Sequence, residues 1–181
     1  KIGENETGLN TGGMGARCPN PYMTDSVEEA FRKDILEPTL KGIKAEKMDF
    51  AGIIFFGVMI TKKGVYLLEY NMRLGDPETQ AVLPLLESDL LEIINSCMNK
   101  ELNKITLKWK NGFSCCVVAS SGGYPEDYKK GYGISINEKD GLVFMAGVAE
   151  KDGKFLTSGG RVLSTVGLGN TLEEARKNAY D

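Results

Sequence analysis

Between Leu67 and Gln80 the chain reads LLEYNMRLGDPETQ, which sets three carboxylates, amides, a guanidinium and a Gly-Asp-Pro corner at the exit of one apolar run. Side chains on a strand alternate faces, so Glu69 and Asn71 point to one side while Leu68 and Tyr70 face the other, apolar, side. Carboxylate plus amide oxygen is a hard-ligand pair suited to Mg²⁺, an ion that takes few protein ligands and completes its octahedron with phosphates and water. Arg73 follows with the planar fork that suits phosphate or carboxylate. Asp76 and Pro77 read as a helix start, Asp as N-cap and Pro at the first helical position. For Glu69 alone a solvated acidic strand end is the simpler account. For the whole string it is not.

Asn10-Thr11-Gly12-Gly13-Met14-Gly15 is the second unusual stretch. Its glycines allow close backbone approach and positive φ, the conditions for an anion-binding concavity of N–H groups. It lacks the spacing and the lysine of a P-loop, so by spacing alone a plain glycine-rich surface loop accounts for it better.

These residues need elements to hold them. Asp25 to Glu28 and Ser26 to Glu29 have capping-box spacing, and apolar residues recur at helical intervals from Val27 to Lys47, predicting a helix kinked or split at Pro38. A hairpin follows: AGIIFFGVMI, the turn TKKG, and VYLLEYN, its first strand apolar enough to be covered on both faces. A helix carries Ala81 to Leu86, and Ser88 caps another with Leu90, Leu91, Ile93 and Ile94. From about Asn103 the texture becomes β-rich (ITLKW, FSCCVVAS, LVFMAGVA, KFLTSGG, RVLSTVG), with SGGYP, EKDG and KDG as turns, and Thr171 to Glu174 forms a capping box before LEEARKNAY. The predicted fold is α+β, divided into residues 1–103 and a small barrel- or sandwich-like domain over 104–181 that is incomplete at its end.

Composition narrows the chemistry. At 181 residues, 41% hydrophobic and 26% charged, the chain has an ordinary globular balance. A net charge of -3 gives no basic footprint for nucleic acid, and no apolar run is long enough to span a bilayer. Histidine is absent, which removes Ser-His-Asp and Cys-His catalysis and histidine-ligated zinc. The four cysteines (Cys18, Cys97, Cys115, Cys116) have no C-x-x-C spacing, and Cys115 and Cys116 in FSCCVVAS read as small apolar strand residues in a reducing compartment, in keeping with an expected cytoplasmic protein. The chain begins at Lys1 rather than Met and is expected to be a fragment.

NTGGMGA, EPT-x-K-G, the apolar strand with Gly57 and Met59, LLEYNMRLGDPETQ, SSGGYPEDY and TSGGRVL occur in one order along the whole chain. Together they resemble the glycinamide ribonucleotide synthetase (phosphoribosylamine-glycine ligase) family. The resemblance implies part of an ATP-grasp domain followed by a β-rich C-terminal domain. It implies ligation of glycine to 5-phosphoribosylamine in de novo purine synthesis, with ATP and Mg²⁺ or Mn²⁺, through a glycyl phosphate. It also implies that the family's N-terminal half, with the adenine-binding strand, lies outside this chain, which alone is not expected to turn over.

On that resemblance Glu69 and Asn71 hold the metal, Arg73 stabilises the transferred phosphoryl group or the carboxylate, and Asp76 and Glu78 orient the substrate amine. Asn10, Thr11, Gly12, Gly13, Met14 and Gly15 form a backbone cradle for substrate or phosphate. Leu9, Arg17 and Leu74 depart from the family pattern and bear on pocket shape rather than reaction type. Two rivals carry weight. A carrier module would need a lysine flanked by methionines, which neither Lys139 nor Lys151 has. Another ATP-grasp ligase, such as a purine-pathway carboxylase relative, fits GDPETQ with SGGYP less well.

Overall fold

The computed structural model describes residues 1–137 and 141–181. The chain forms two compact units that interleave in sequence: Lys1–Cys18, Asp76–Leu85 and Lys110–Asp181 make one, and Pro19–Gly75 with Leu86–Trp109 make the other. The sequence reading, by contrast, cuts the chain once, between 103 and 104. Strand pairing accounts for the interleaving, because the strand at residues 15–18 finds its partner about a hundred residues later and packs with the β-rich part.

In the first unit a four-stranded antiparallel sheet has the order β1 (Gly15–Cys18), β4 (Phe113–Ser120), β9 (Arg161–Gly169), β6 (Leu142–Met145). A second sheet has the order β5 (Gly133–Ile134), β8 (Lys154–Thr157), β7 (Val148–Lys151). The run LVFMAGVA therefore divides between two sheets. The break falls at Gly147, where a Cβ would stand 2.6 Å from the Arg161 carbonyl oxygen. One face of the larger sheet is sealed by α3 (Glu78–Val82): Ala81, Cys116 and Val166 are buried together, and the buried Ser114 hydroxyl donates to the Ala81 carbonyl. The other face receives α5 (Leu172–Tyr180), which lies flush on Gly167, where a Cβ would come within 2.2 Å of the Ala175 carbonyl oxygen. The capping box opening α5 is present: Thr171 Oγ1 accepts from Glu174 N at 3.1 Å. Its return bond goes to the Asn170 N–H rather than to Thr171.

The second unit holds a helical stretch, a hairpin and α4 (Leu90–Met98). The expected kink takes the form of a π turn: α1 (Asp25–Phe31) passes into Arg32–Leu36 and then into α2 (Glu37–Ala45). Pro38, in the first turn of α2, has no N–H to give and crowds the preceding turn, which widens to admit it. Neither expected capping box forms at α1, whose N-cap, Thr24, makes no side-chain cap bond. α4 is capped by Asp89, whose Oδ1 accepts from Leu91 N at 2.7 Å and Glu92 N at 3.1 Å, and not by Ser88, whose hydroxyl accepts from Lys108 N. The hairpin pairs β2 (Phe55–Thr61) with β3 (Gly64–Asn71). Residues 51–54 stay outside it, and no residue of β2 is buried, so within this unit the strand is not covered on both faces as expected. ITLKW forms no strand; Trp109 makes one isolated bridge to Leu86.

Of the expected turns, EKDG at 138–141 lies outside the described residues save Gly141. Among the described residues no helix is long and apolar enough to cross a membrane.

Candidate functional site

The hairpin places Glu69, Asn71 and Arg73 as a relay. Arg73 Nη2 donates to Asn71 Oδ1 at 3.1 Å, Asn71 Nδ2 donates to Glu69 Oε1 at 3.0 Å, and Arg73 Nη1 is held on the Leu74 carbonyl at 2.8 Å. Glu69 and Asn71 thus share a face, as the strand period requires. The opposite face differs from the expectation. The register shifts between Gly57 and Val58, pairing Gly57 with Glu69 but Val58 with Leu67, so Leu68 is the extra residue of a bulge and stands 61% exposed. Tyr70 packs edge-on against Phe56 and its hydroxyl lies 2.8 Å from Thr39 Oγ1 on α2. An apolar groove of this unit, lined by Ile35, Pro38, Ile43, Leu67, Tyr70 and Met72 among others, includes none of the three polar residues.

The donor chemistry of Glu69 and Asn71 fits a hard divalent cation. Among the described residues no group of three or more His, Cys, Asp or Glu side chains is gathered to hold a metal. A cation here would rest on these two oxygens and draw its remaining ligands from phosphate and water, as Mg²⁺ ordinarily does. In the relay Asn71 Oδ1 already receives the Arg73 guanidinium. A cation drawn to Asn71 Oδ1 would meet the Arg73 guanidinium on the same oxygen.

Within the other unit, Asp76 is not a helix cap. The Asp76–Pro77 peptide is cis, Pro77 occupies the N-cap position of α3, and Glu78 is its first residue. The Asp76 carboxylate is engaged elsewhere: Oδ2 meets Arg161 Nη2 at 3.1 Å and Oδ1 accepts from Gln80 Nε2 at 2.9 Å. The other end of that amide, Gln80 Oε1, is buried without a hydrogen-bond partner. Arg161 Nη1 reaches the Gly12 carbonyl at 3.0 Å, the Gly13 carbonyl at 3.4 Å and the Asp76 carbonyl at 2.8 Å. The glycines make this approach sterically open, since a Cβ at Gly12 would lie 3.2 Å from Arg161 Cζ, and one at Gly13 2.8 Å from Pro77 Cδ. Gly13 also sits at φ +111°, where an L side chain is strained. On the amide side of the loop, Gly12 N donates to the Tyr124 hydroxyl at 3.0 Å and Gly13 N to Thr11 Oγ1 at 3.3 Å. Met14 lends its carbonyl to Val118 N, and Gly15 opens β1.

Of the expected residues, then, Glu69, Asn71 and Arg73 come together in one unit, and loop 10–15 comes together with Asp76 in the other. Arg161, Tyr124 and Gln80 were not expected at the site. Arg161 and Tyr124 stand inside TSGGRVL and SSGGYPEDY, so the motifs were visible, but only the fold shows that they reach back to Gly12. Burial pushes the Cys18, Cys115 and Cys116 thiols above the ordinary thiol value, at Cys115 against the opposing Arg176 and Arg17 charges. For Cys116 a hydrogen bond with Ser164 opposes the shift, while Cys115 and the Asp76 and Glu78 carboxylates add to it.

Two family models match the chain: Phosphoribosylglycinamide synthetase, ATP-grasp (A) domain, over residues 1–79, and Phosphoribosylglycinamide synthetase, C domain, over residues 114–181. A phosphoribosylamine–glycine ligase from Fusobacterium nucleatum subsp. nucleatum is 58% identical, the match covering 99% of this chain and 44% of the relative. One from Clostridium acetobutylicum is 56% identical with the same two coverages, 99% and 44%. The crystal structure of phosphoribosylamine–glycine ligase from Thermotoga maritima superposes with a TM-score of 0.86 at 38% identity, covering 97% of this chain and 44% of that one. The chain thus spans less than half the length of these relatives.

Proposed function

The chain belongs to the phosphoribosylglycinamide synthetase family, and we propose that it supplies the metal-binding strand, the phosphoryl clamp and the glycine-rich loop of an ATP-dependent ligase. The reaction joins glycine to 5-phosphoribosylamine, giving glycinamide ribonucleotide, ADP and phosphate. The observation that carries this reading is the Arg73–Asn71–Glu69 relay, a hard-oxygen pair with a guanidinium aligned on it by hydrogen bonds of 3.1 and 3.0 Å.

A carboxylate is a poor electrophile, so the glycine carboxylate oxygen takes the γ-phosphoryl group of ATP, releasing ADP and forming glycyl phosphate. The amine nitrogen of phosphoribosylamine then attacks the acyl carbon, the C–O bond to phosphate breaks, and one proton leaves the nitrogen. Positioning and charge neutralisation carry such chemistry, and it needs no histidine. Mg²⁺ or Mn²⁺, when bound, neutralises charge on the nucleotide phosphates. Glu69 and Asn71 would hold it. Arg73 would offer its fork to the transferred phosphoryl group or the glycine carboxylate. Asp76 and Glu78 bear on the amine. With both Asp76 oxygens already bonded, Glu78 is the better placed of the two to accept its proton. Loop 10–15 receives substrate or phosphate.

The remaining ATP-grasp segments belong to the part of the protein outside this chain, which is its obligatory partner. The test is glycine-dependent ADP release with phosphoribosylamine. The full-length protein is expected to show it, and the 181-residue chain alone to remain at background. A full-length protein with no such activity would overturn the reading.

A further inference from the structure

Arg161 spends three of its four hydrogen bonds on backbone carbonyls, two of them in the glycine-rich loop. That choice has a directional effect. In a trans peptide the C=O and the following N–H point opposite ways, and neither peptide after Gly12 and Gly13 is among the cis bonds of this chain. By drawing in the Gly12 and Gly13 carbonyls, Arg161 turns the Gly13 and Met14 N–H groups away from itself. Tyr124 fixes the third amide, that of Gly12, while a hydroxyl that accepts a hydrogen bond still has its own proton to donate. Successive N–H groups facing one side form an anion-binding concavity.

Arg161 is held at several points. It opens β9, its carbonyl is bonded by Gly147 N at 3.0 Å, its side chain is 24% exposed, and its charge is balanced by Asp76. We propose that Arg161, seconded by Tyr124, is the positioning residue of an anion cradle that takes the phosphate group of a substrate, made by the Met14 N–H and by the Gly13 N–H, which exchanges its 3.3 Å bond to Thr11 Oγ1 for the ligand. The proposal rests on the reading of loop 10–15 given above.

The experiment titrates inorganic phosphate into the isotopically labelled chain and follows backbone amide resonances, comparing the parent with Arg161→Lys and Tyr124→Phe. Lysine keeps the charge but has one nitrogen where Arg161 uses two, so it cannot hold both carbonyls and the carboxylate in one plane. In the parent the Gly13 and Met14 amides are expected to shift on phosphate addition. In Arg161→Lys apparent phosphate affinity should fall about tenfold or more, as when charge-assisted hydrogen bonds are lost. Tyr124→Phe removes one oxygen and leaves the ring on Gly160; affinity should fall about three- to tenfold.

The proposal is overturned if the parent amides of Gly13 and Met14 do not respond, or if both variants bind phosphate as the parent does. The ADP assay on the full-length protein judges the reaction independently. Phosphate shifts at Gly13 and Met14 with no ligase activity would leave the cradle standing and the reaction wrong.

Discussion

Gly57 lies directly across the hairpin from Glu69, and a Cβ at position 57 would stand 2.9 Å from Glu69 Cγ. The glycine therefore makes room for the Glu69 side chain, the proposed metal ligand. Gly57→Ala should displace the Glu69 side chain and raise the Mg²⁺ concentration needed for half-maximal activity of the full-length protein. Overpacking at this half-buried site should cost about 1–3 kcal/mol. Magnesium titration alongside thermal melting separates the two; an unchanged Mg²⁺ midpoint would show that Glu69 does not need the space.

Glu69→Gln keeps shape and removes charge. Strand-end oxygens add little to the core, so the fold should persist while the Mg²⁺ requirement rises and turnover falls. Normal metal dependence in steady-state assays would return Glu69 to the solvated acids.

Much of this arrangement is readable before folding because it is local. The two-residue period puts Glu69 and Asn71 side by side, Thr171 with Glu174 announces α5, and TKKG between apolar runs announces the hairpin. The motifs from NTGGMGA to TSGGRVL pointed to the family that both family models match. What escaped was set by distant partners. Gly12 and Tyr124 lie 112 positions apart and Gly12 and Arg161 149 apart, and no spacing rule links them. Asp76 reads as a cap because Asp before Pro usually is one; Arg161 and Gln80 claim its carboxylate instead. Leu68 reads as inward by alternation, and the bulge opposite Gly57 and Val58 removes it from the count.

Arg73→Lys separates charge from geometry. A phosphate or carboxylate clamp loses its bidentate fork, and removing one such transition-state contact typically lowers turnover by about 10²–10³. In the structure the same change also frees Asn71 Oδ1 from a guanidinium. Metal affinity should therefore hold or improve while turnover falls. Near-normal kcat in steady-state kinetics would remove Arg73 from the mechanism.

The buried Cys116 and half-buried Cys18 and Cys115 thiols predict a one-sided pH response. Below the ordinary thiol value of 9.0, folded and unfolded chains both keep Cys18, Cys115 and Cys116 protonated. Above it the unfolded chain releases protons that the folded chain retains, so stability is lost as pH rises from that value toward the raised native one. Thermal melts from pH 7 to 10 should show the decline, and it should be shallower in Cys116→Ala. Equal slopes in parent and variant would show that Cys116 does not contribute.

The pairing of β1 with β4 carries a consequence for how the protein is made. Gly15 meets Val117, so the strand that follows the glycine-rich loop leaves the ribosome long before anything it can pair with. At roughly 5–20 residues per second the loop waits several seconds or more for β4, and longer for Arg161. The intervening hairpin and helices, whose contacts are local, have time to form first; closure across so long a stretch is a late and slow step. A nascent chain that stops short of residue 161 keeps the loop residues but lacks the arginine that bonds their carbonyls. The bonded form of the loop is thus open only to polypeptides translated past that point.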